Sequence, residues 1–352
     1  ISCQFLVRIV QRCSAEVVLV VGQEAAQLTS RPVVVMPPVE PFCSPDRRPW
    51  DGRPSKAAYL LRPPQWIDAA LAPSVDAAIF KKGSLLAGLG GVFASQGRTG
   101  IANSTERSAV SLVGVTYRLD DQTSATFGIG ELGTVESAGA TATVNTLLAT
   151  VGGRYGFSSL ETGPYAVVRA DAGWVNYQSE RPLGYGLGAA QGSTNGAVFS
   201  GQLVLVRYSR GSLSVQVASG GRVADETLGS FKESGSELAL NVHGLNTTVP
   251  SLLADLDVSL DRHLIGTWSI VPTFTLGYEW ILGNSQIEST GTLYGYAVSQ
   301  SSAYESHDLI KASLGGTVQH DTFFINTRGT IVAGDGTKST GMSGQLSIGY
   351  SF

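Results

Sequence analysis

Charged side chains are scarce in this sequence. Where they fall inside its long alternating segments, they share a face with small polar residues. Arg118, Arg154, Arg169, Asp171, Asp255, Asp257, Glu279, Lys311 and Arg328 all follow this rule, with the two signs nearly balanced. Such a set can line a water-filled pore, where it binds a threaded segment or tunes solute passage. It can equally hold a wall together through ion pairs. Asp255 and Asp257 stand two apart on one face, near enough to perturb each other's ionisation. They read either as a paired-carboxylate acid–base site or, more plainly, as two structural partners for Arg. His243, His263, His307 and His320 are scattered at segment ends and loops. No Ser-His-Asp order, G-x-S-x-G elbow, H-E-x-x-H helix or phosphate loop occurs. Gly88–Gly91 reads as strand glycine, where neighbouring backbones approach closely. The chain is therefore not expected to be an enzyme, and no metal or cofactor is expected.

The elements that must carry these residues are constrained by composition. The chain has 352 residues, 43 of them Gly, with 43% hydrophobic and only 15% charged. No stretch reaches the ~18 to 20 apolar residues of a spanning helix. A slightly apolar, charge-poor chain without such a helix is either a soluble β-rich protein or a closed barrel, the other structure that satisfies its backbone in lipid. A net charge of −4 offers no basic field, which argues against nucleic acid as a partner. Cys3, Cys13 and Cys43 all lie near the N-terminus, with none beyond. That suits export of the remainder through an oxidising compartment, and no C-x-x-C redox or metal spacing is present. The chain starts at Ile1 without Met or a basic-then-apolar leader, as expected of a mature or trimmed fragment.

From Gly83 onward the pattern alternates with a period of two between Gly/Asn/Asp/Ser clusters. In Trp268–Gly283, one face reads Trp268, Ile270, Pro272, Phe274, Leu276, Tyr278, Trp280, Leu282. The other reads Ser269, Val271, Thr273, Thr275, Gly277, Glu279, Ile281. The same split recurs in 107–119, 146–157, 164–177, 251–260 and 307–320. Further strands are expected at 84–95, 123–133, 197–208, 212–220, 322–334 and 342–352, with a weaker candidate at 236–246 assigned to a loop or strand extension. A soluble sandwich would show Lys and Glu on its polar faces. These faces carry Gly, Ser and Thr, and the apolar faces carry aromatics near their ends, like interfacial girdles. An Arg or Lys on a lipid face costs about 2 to 4 kcal/mol at the midplane, so the charges named above are expected inside. The fold class is all-β: a transmembrane antiparallel up-and-down barrel of twelve strands over 83–352. It is preceded by an irregular Pro-rich segment over 1–54 and a linker over 55–82, helical or extended, in the pore.

The final segment places Leu346, Ile348, Tyr350 and the terminal Phe352 on one face. An alternating strand that ends on a terminal Phe, with Tyr two residues before, resembles the assembly signal of bacterial outer-membrane proteins. Residues 83–352 as a whole resemble the translocator β-domain of the autotransporters, the type V secretion proteins. Three features carry this: a C-terminal barrel of the right size, the Pro-bearing strand Trp268–Trp280, and an Ala-rich segment before the first strand. The resemblance implies a bacterial outer-membrane location, in contact with the bilayer and lipopolysaccharide, and recognition by the barrel-assembly machinery. It further implies a passenger in cis, carried to the cell surface. It places a linker in the pore, with Trp66, Asp68 and Asp76 inside and Asp68 or Asp76 near Arg118, Arg154, Arg169 or Arg328. The chain departs from the family in three respects. Residues 1–54 lack the repetitive β-helix of typical passengers, and Pro73 interrupts a continuous pore helix. With no Asn before Asn103, the self-cleavage used by some members has no substrate. A passive porin-like channel with a periplasmic or plugging N-terminal segment is the alternative, and a barrel-embedded hydrolase using a lipid-level Ser/His pair is a weaker third.

Overall fold

The computed structural model describes residues 82–352, apart from short stretches at 100–101, 138–139, 161–162, 184–186, 210–212, 261–262, 283–285, 304–306 and 335–339. The expectations for 1–54, for the linker with Trp66, Asp68 and Asp76, and for Cys3, Cys13 and Cys43 lie outside the described residues.

The described chain is built from strands alone. In order they are β1 (Gly83–Thr99), β2 (Ala102–Arg118), β3 (Thr123–Ser137), β4 (Thr141–Gly156), β5 (Tyr165–Pro182), β6 (Ala189–Ser209) and β7 (Leu213–Leu228). Next come β8 (Phe231–Lys232), β9 (Asn241–Val242), β10 (Leu245–Leu260), β11 (His263–Ile265) and β12 (Trp268–Ile281). The last are β13 (Gln286–Leu293), β14 (Tyr296–Ala303), β15 (Asp308–His320), β16 (Phe323–Gly334) and β17 (Thr340–Ser351). Twelve of them, β1–β7, β10, β12 and β15–β17, form a closed antiparallel barrel. The circuit closes because β1 pairs with β17 and β10 pairs with β12. No edge is left in the barrel, which a wall in lipid requires.

The period-two pattern decides which face is which. Along β4 and β5 exposed and buried residues alternate almost without a break. The exposed set is apolar: Leu314 is 70% exposed and Trp174 60%. So complete an exposure of large apolar side chains is stable only in hydrocarbon. Tyr117, Tyr155, Trp268 and Tyr350 face outward near the end that carries the tight turns 119–122 and 321–322. Tyr278 and Trp280 face outward near the opposite end. Short turns mark the periplasmic side of such barrels. Pro272 points outward at a break in the ladder, between the last β10–β12 pair (Ser259 with Thr273) and the first β11–β12 pair (His263 with Ile270). A residue without an N–H is tolerated at such a break.

The strands are longer than sequence alternation indicates. A spanning β-strand needs ~9 to 11 residues, whereas β5 has 18 and β6 has 21. The extra length lies at the long-loop end, where the outward positions of β5 become Asn176, Gln178 and Glu180. Past Tyr177 the inward residues Ser179 and Arg181 are polar as well, so hydrophobic periodicity cannot mark the end of the strand. The weak candidate at 236–246 divides into loop, β9 and the start of β10. The loop 229–244 joins β13 and β14 in a second, four-stranded sheet of order β14-β13-β9-β8.

That loop changes the lumen. Phe231 packs on the inward-facing Tyr177 (centroids 5.9 Å) and over Gly192, where a Cβ would meet its ring at 2.4 Å. Only glycine leaves that space. Arg181 of β5 ion-pairs with Glu233 at 2.6 Å and donates to the Leu238 carbonyl at 3.0 Å, with both charged side chains buried. The Gln191 and Ser234 backbones bond each other. Residues 229–244 thus fold over the inner face of the β5–β6 extension. Below them Leu112, Leu132, Leu148, Val175 and Val198 form a buried apolar cluster, with Leu228, Phe231 and Ile281 packed against it. The wet lumen lined mostly by small and polar residues that the sequence suggests is modified in the upper half, where inward positions face protein rather than water.

Candidate functional site in the lumen

A belt of inward-facing polar side chains crosses the lumen below the apolar cluster. Strand register creates it. Arg169 on β5 lies beside Gln202 on β6, Gln202 beside Arg222 on β7, and Arg222 beside Ser251 on β10. Because these side chains cannot face lipid cheaply, the alternation of each strand delivers them to the same side. Arg169 donates its Nε proton to Asp171 at 2.8 Å and to the Thr150 hydroxyl at 3.1 Å. Ser200 donates to the other Asp171 oxygen at 2.7 Å. Arg222 reaches across β10 to Glu279, whose side chain is fully buried.

Further round the wall, Lys311 on β15 pairs with Asp255 on β10 at 3.5 Å. Gly277 lies between them on β12, and a Cβ there would stand 2.2 Å from Asp255 Oδ1 and 2.8 Å from Lys311 Cε. The ion pair bridges two strands over a third because that third strand has no side chain in the way. Asp257 accepts from Thr275. The two aspartates therefore engage separate partners, and the arrangement is that of structural pairing rather than of one acid–base couple. Arg328 also faces inward, beside Gly315 and Gln345.

Two of the expected lumen arginines sit nearer the periplasmic end. The Arg154 guanidinium stacks 3.4 Å from the Tyr165 ring centroid and donates to the Leu160 carbonyl at 3.2 Å. Arg118 ties down the β2–β3 turn, donating to Asp121 at 2.9 Å and to the Asp120 carbonyl at 3.1 Å. Asp120 in turn accepts the Gln122 and Thr123 amides, each at 2.7 Å. The Gln122 amide bond is the main reason its carboxyl is held below the usual aspartate value, and Arg118 adds to it.

All nine charges anticipated for the lumen face inward. Among the described residues four further ones escaped the sequence: Arg222, Glu226, and the pair Arg181–Glu233. Extending the even-numbered polar phase of β7 past residue 220 finds the first two. Glu226 is fully buried beside Val198 and Thr247, and neither carboxylate oxygen has a hydrogen-bond partner. The Arg181–Glu233 pair joins a strand extension to a loop and has no periodic signature. Histidines serve loops and rims: His243 bonds Thr290, His307 the Ile281 carbonyl, and His320 Thr267. No group of metal-ligating side chains forms among the described residues.

The proposed assembly signal is placed as its alternation implied. Leu346, Ile348, Tyr350 and Phe352 face outward, each roughly half exposed. The Phe352 backbone exchanges both hydrogen bonds with Gly83, at 3.0 and 2.9 Å, and its ring lies over the Gly83 Cα.

The sequence model of the Autotransporter beta-domain family matches residues 85–327. Among solved structures, the fold resembles the translocator domain of autotransporter NalP from Neisseria meningitidis, with TM-score 0.68 and 18% identity over 85% of this chain and 98% of that one. It also resembles the transport unit of autotransporter AIDA-I from Escherichia coli (TM-score 0.51, 14% identity, 86% of this chain and 100% of that one). A third likeness is the beta domain of the Bordetella autotransporter BrkA (TM-score 0.52, 14% identity, 77% and 100%). No curated sequence matches the chain.

Proposed function

Because the chain belongs to the autotransporter β-domain family, we propose that it anchors an N-terminal passenger in the bacterial outer membrane and helps carry it to the cell surface. The observation that carries this reading is the geometry of the seam. The wall is closed, and β1 starts at Gly83 beside Phe352, at the periplasmic end. Chain upstream of Gly83 that reaches the surface must therefore pass through the lumen. A twelve-stranded lumen is wider than the side-chain-filled eight-stranded case and too narrow for a folded domain. It suits one helix or one or two extended segments, and the belt of Arg169, Asp171, Arg222 and Glu279, with Arg154 below it, gives such a segment polar contacts. In this reading residues 66–80 occupy the pore, with Asp68 or Asp76 near those arginines. The barrel-assembly machinery, the bilayer and lipopolysaccharide are its partners in the envelope.

The test is conductance and surface labelling together. Deleting residues 1–80 is expected to raise single-channel conductance in a planar bilayer, and an epitope at Ile1 is expected to be accessible to antibody on intact cells. Unchanged conductance with a periplasmic epitope would replace this reading with the porin-like one.

A further inference from the structure

On the outer wall, one carboxylate stands in line with the lipid-facing apolar residues of β3. Glu131 of β3 is exposed in line with Phe127 and Ile129, directly opposite Ser111 on β2 and Leu147 on β4. Three other outward carboxylates among the described residues, Glu180, Asp225 and Asp308, stand at the upper strand ends and accept from Gln191, Thr248 and Tyr278. Glu131 makes no ion pair or side-chain hydrogen bond with any described residue. It lies eight residues beyond Thr123 at the turn end of β3. With ~3.3 Å per residue and strands tilted by ~40°, that is roughly 20 Å up the wall, within the ~25 Å apolar band. An ionisable side chain at such depth marks a site, and the question is what answers it.

The surroundings suit a second wall. Leu89, Ser111, Leu147 and Leu346 line a shallow apolar groove in which Glu131 is the one charged side chain. Ala87 and Ala109 are exposed beside it and let another backbone approach. The same wall carries the complementary charge. Arg107 on β2 is exposed, opposite Val135, and it too pairs with nothing described. Within one chain the two residues diverge along neighbouring strands, their Cα atoms roughly 14 Å apart and Arg107 about 7 Å the higher. A second barrel, related by a two-fold axis along the membrane normal, turns its Arg107 toward the first barrel's Glu131 at that same offset. Across two walls ~10 Å apart, the gap is within the combined reach of the two side chains. Symmetry makes the contact twice.

We propose that the outer wall of β1–β4 around Glu131 is an isologous dimer interface within the bilayer, in which two copies of this chain exchange Arg107–Glu131 ion pairs. The inference rests on the outer wall facing lipid and is independent of passenger export. Charge-assisted hydrogen bonds formed away from water are strong and directional, which fixes the register of two otherwise smooth apolar walls.

The full chain is tested in lipid nanodiscs large enough for two barrels, with Cys3, Cys13 and Cys43 replaced by Ser and with Ser111→Cys added. A short bismaleimide is expected to link two copies, and light scattering to report the dimer mass. Glu131→Arg and Arg107→Glu alone should each reduce the cross-linked yield at least tenfold, and the combined charge exchange should restore it. Glu131→Gln, which keeps the volume, should weaken the dimer as well. Retention of heat-modifiable gel mobility identifies the variants that fold. A monomer under all conditions overturns the proposal. So does a dimer indifferent to both charge reversals, a cross-link to a different protein, or a monomer that holds a lipid through Glu131.

Discussion

Single residues in this wall do separable jobs, and substitution should separate them. Phe352 contributes one aromatic of burial at the interface, about 1.5 to 3 kcal/mol, yet it closes the ladder to Gly83. Phe352→Ala is expected to lower outer-membrane assembly in cells far more than it lowers refolded stability in detergent. Equal losses in the two assays would make the residue merely structural. Arg222 is different, because its partner Glu279 is fully buried. Arg222→Met removes this cation from a buried carboxylate and should destabilise the barrel by about 3 to 5 kcal/mol, whereas the double change with Glu279→Met should recover most of the loss. The midpoint of heat-modifiable mobility checks both. Asp120 offers a pH test. Its carboxyl is held below the usual value by the Gln122 amide first and by Arg118 last among the lowering contacts. A carboxyl with a depressed folded pKa stabilises fully above its unfolded value and loses that contribution as pH falls through the folded one. Hydrogen exchange at Gln122 and Thr123 should therefore be slower in the parent than in Asp120→Ala at neutral pH. The two should converge below the ordinary carboxylate range, and a difference that persists there would assign the protection to something else.

At the level of elements, the wall follows from alternation and the mouth does not. The faces of β4, β5, β10, β12 and β15 could be read in the sequence because each bulky outward residue is separated from the next by one small or polar residue. That signal stops where lipid stops. Past Tyr177, β5 carries polar residues on both faces, and the loop 229–244 is held by Arg181–Glu233 and by Phe231 over Gly192, contacts between segments about forty to fifty residues apart. The lumen charges were legible because lipid excludes them. Their partners were not, since pairing depends on the stagger between strands, as when Arg222 reaches past β10 to Glu279. The loop's attachment is testable. Arg181→Met is expected to free residues 229–244, making them sensitive to added protease while the twelve-stranded ladder and its circular dichroism remain. Unchanged protease resistance would shift the credit to Phe231.

For the molecule as a whole, every barrel pairing but one joins strands adjacent in sequence or separated by one loop, so most of the barrel is a run of hairpins. The exception is the seam, where β1 meets β17 along almost the full length of both, from Ser84–Ser351 to Gln96–Thr340. Forming it costs the loop entropy of the entire intervening chain. It cannot precede the hairpins without leaving them unpaired in the wrong solvent.

The seam also gives the cell a way to count. Phe352 pairs with Gly83, the first residue of β1, so a chain that breaks off before β17 lacks its closing strand and presents open β1 and β16 edges. Such a product retains unpaired backbone groups that hydrocarbon does not tolerate and that invite pairing with whatever strand is near. A finished wall is thus its own certificate that translation has run through β17, and copies cut short of it are sorted out by the bilayer itself, before any protease has to read their sequence.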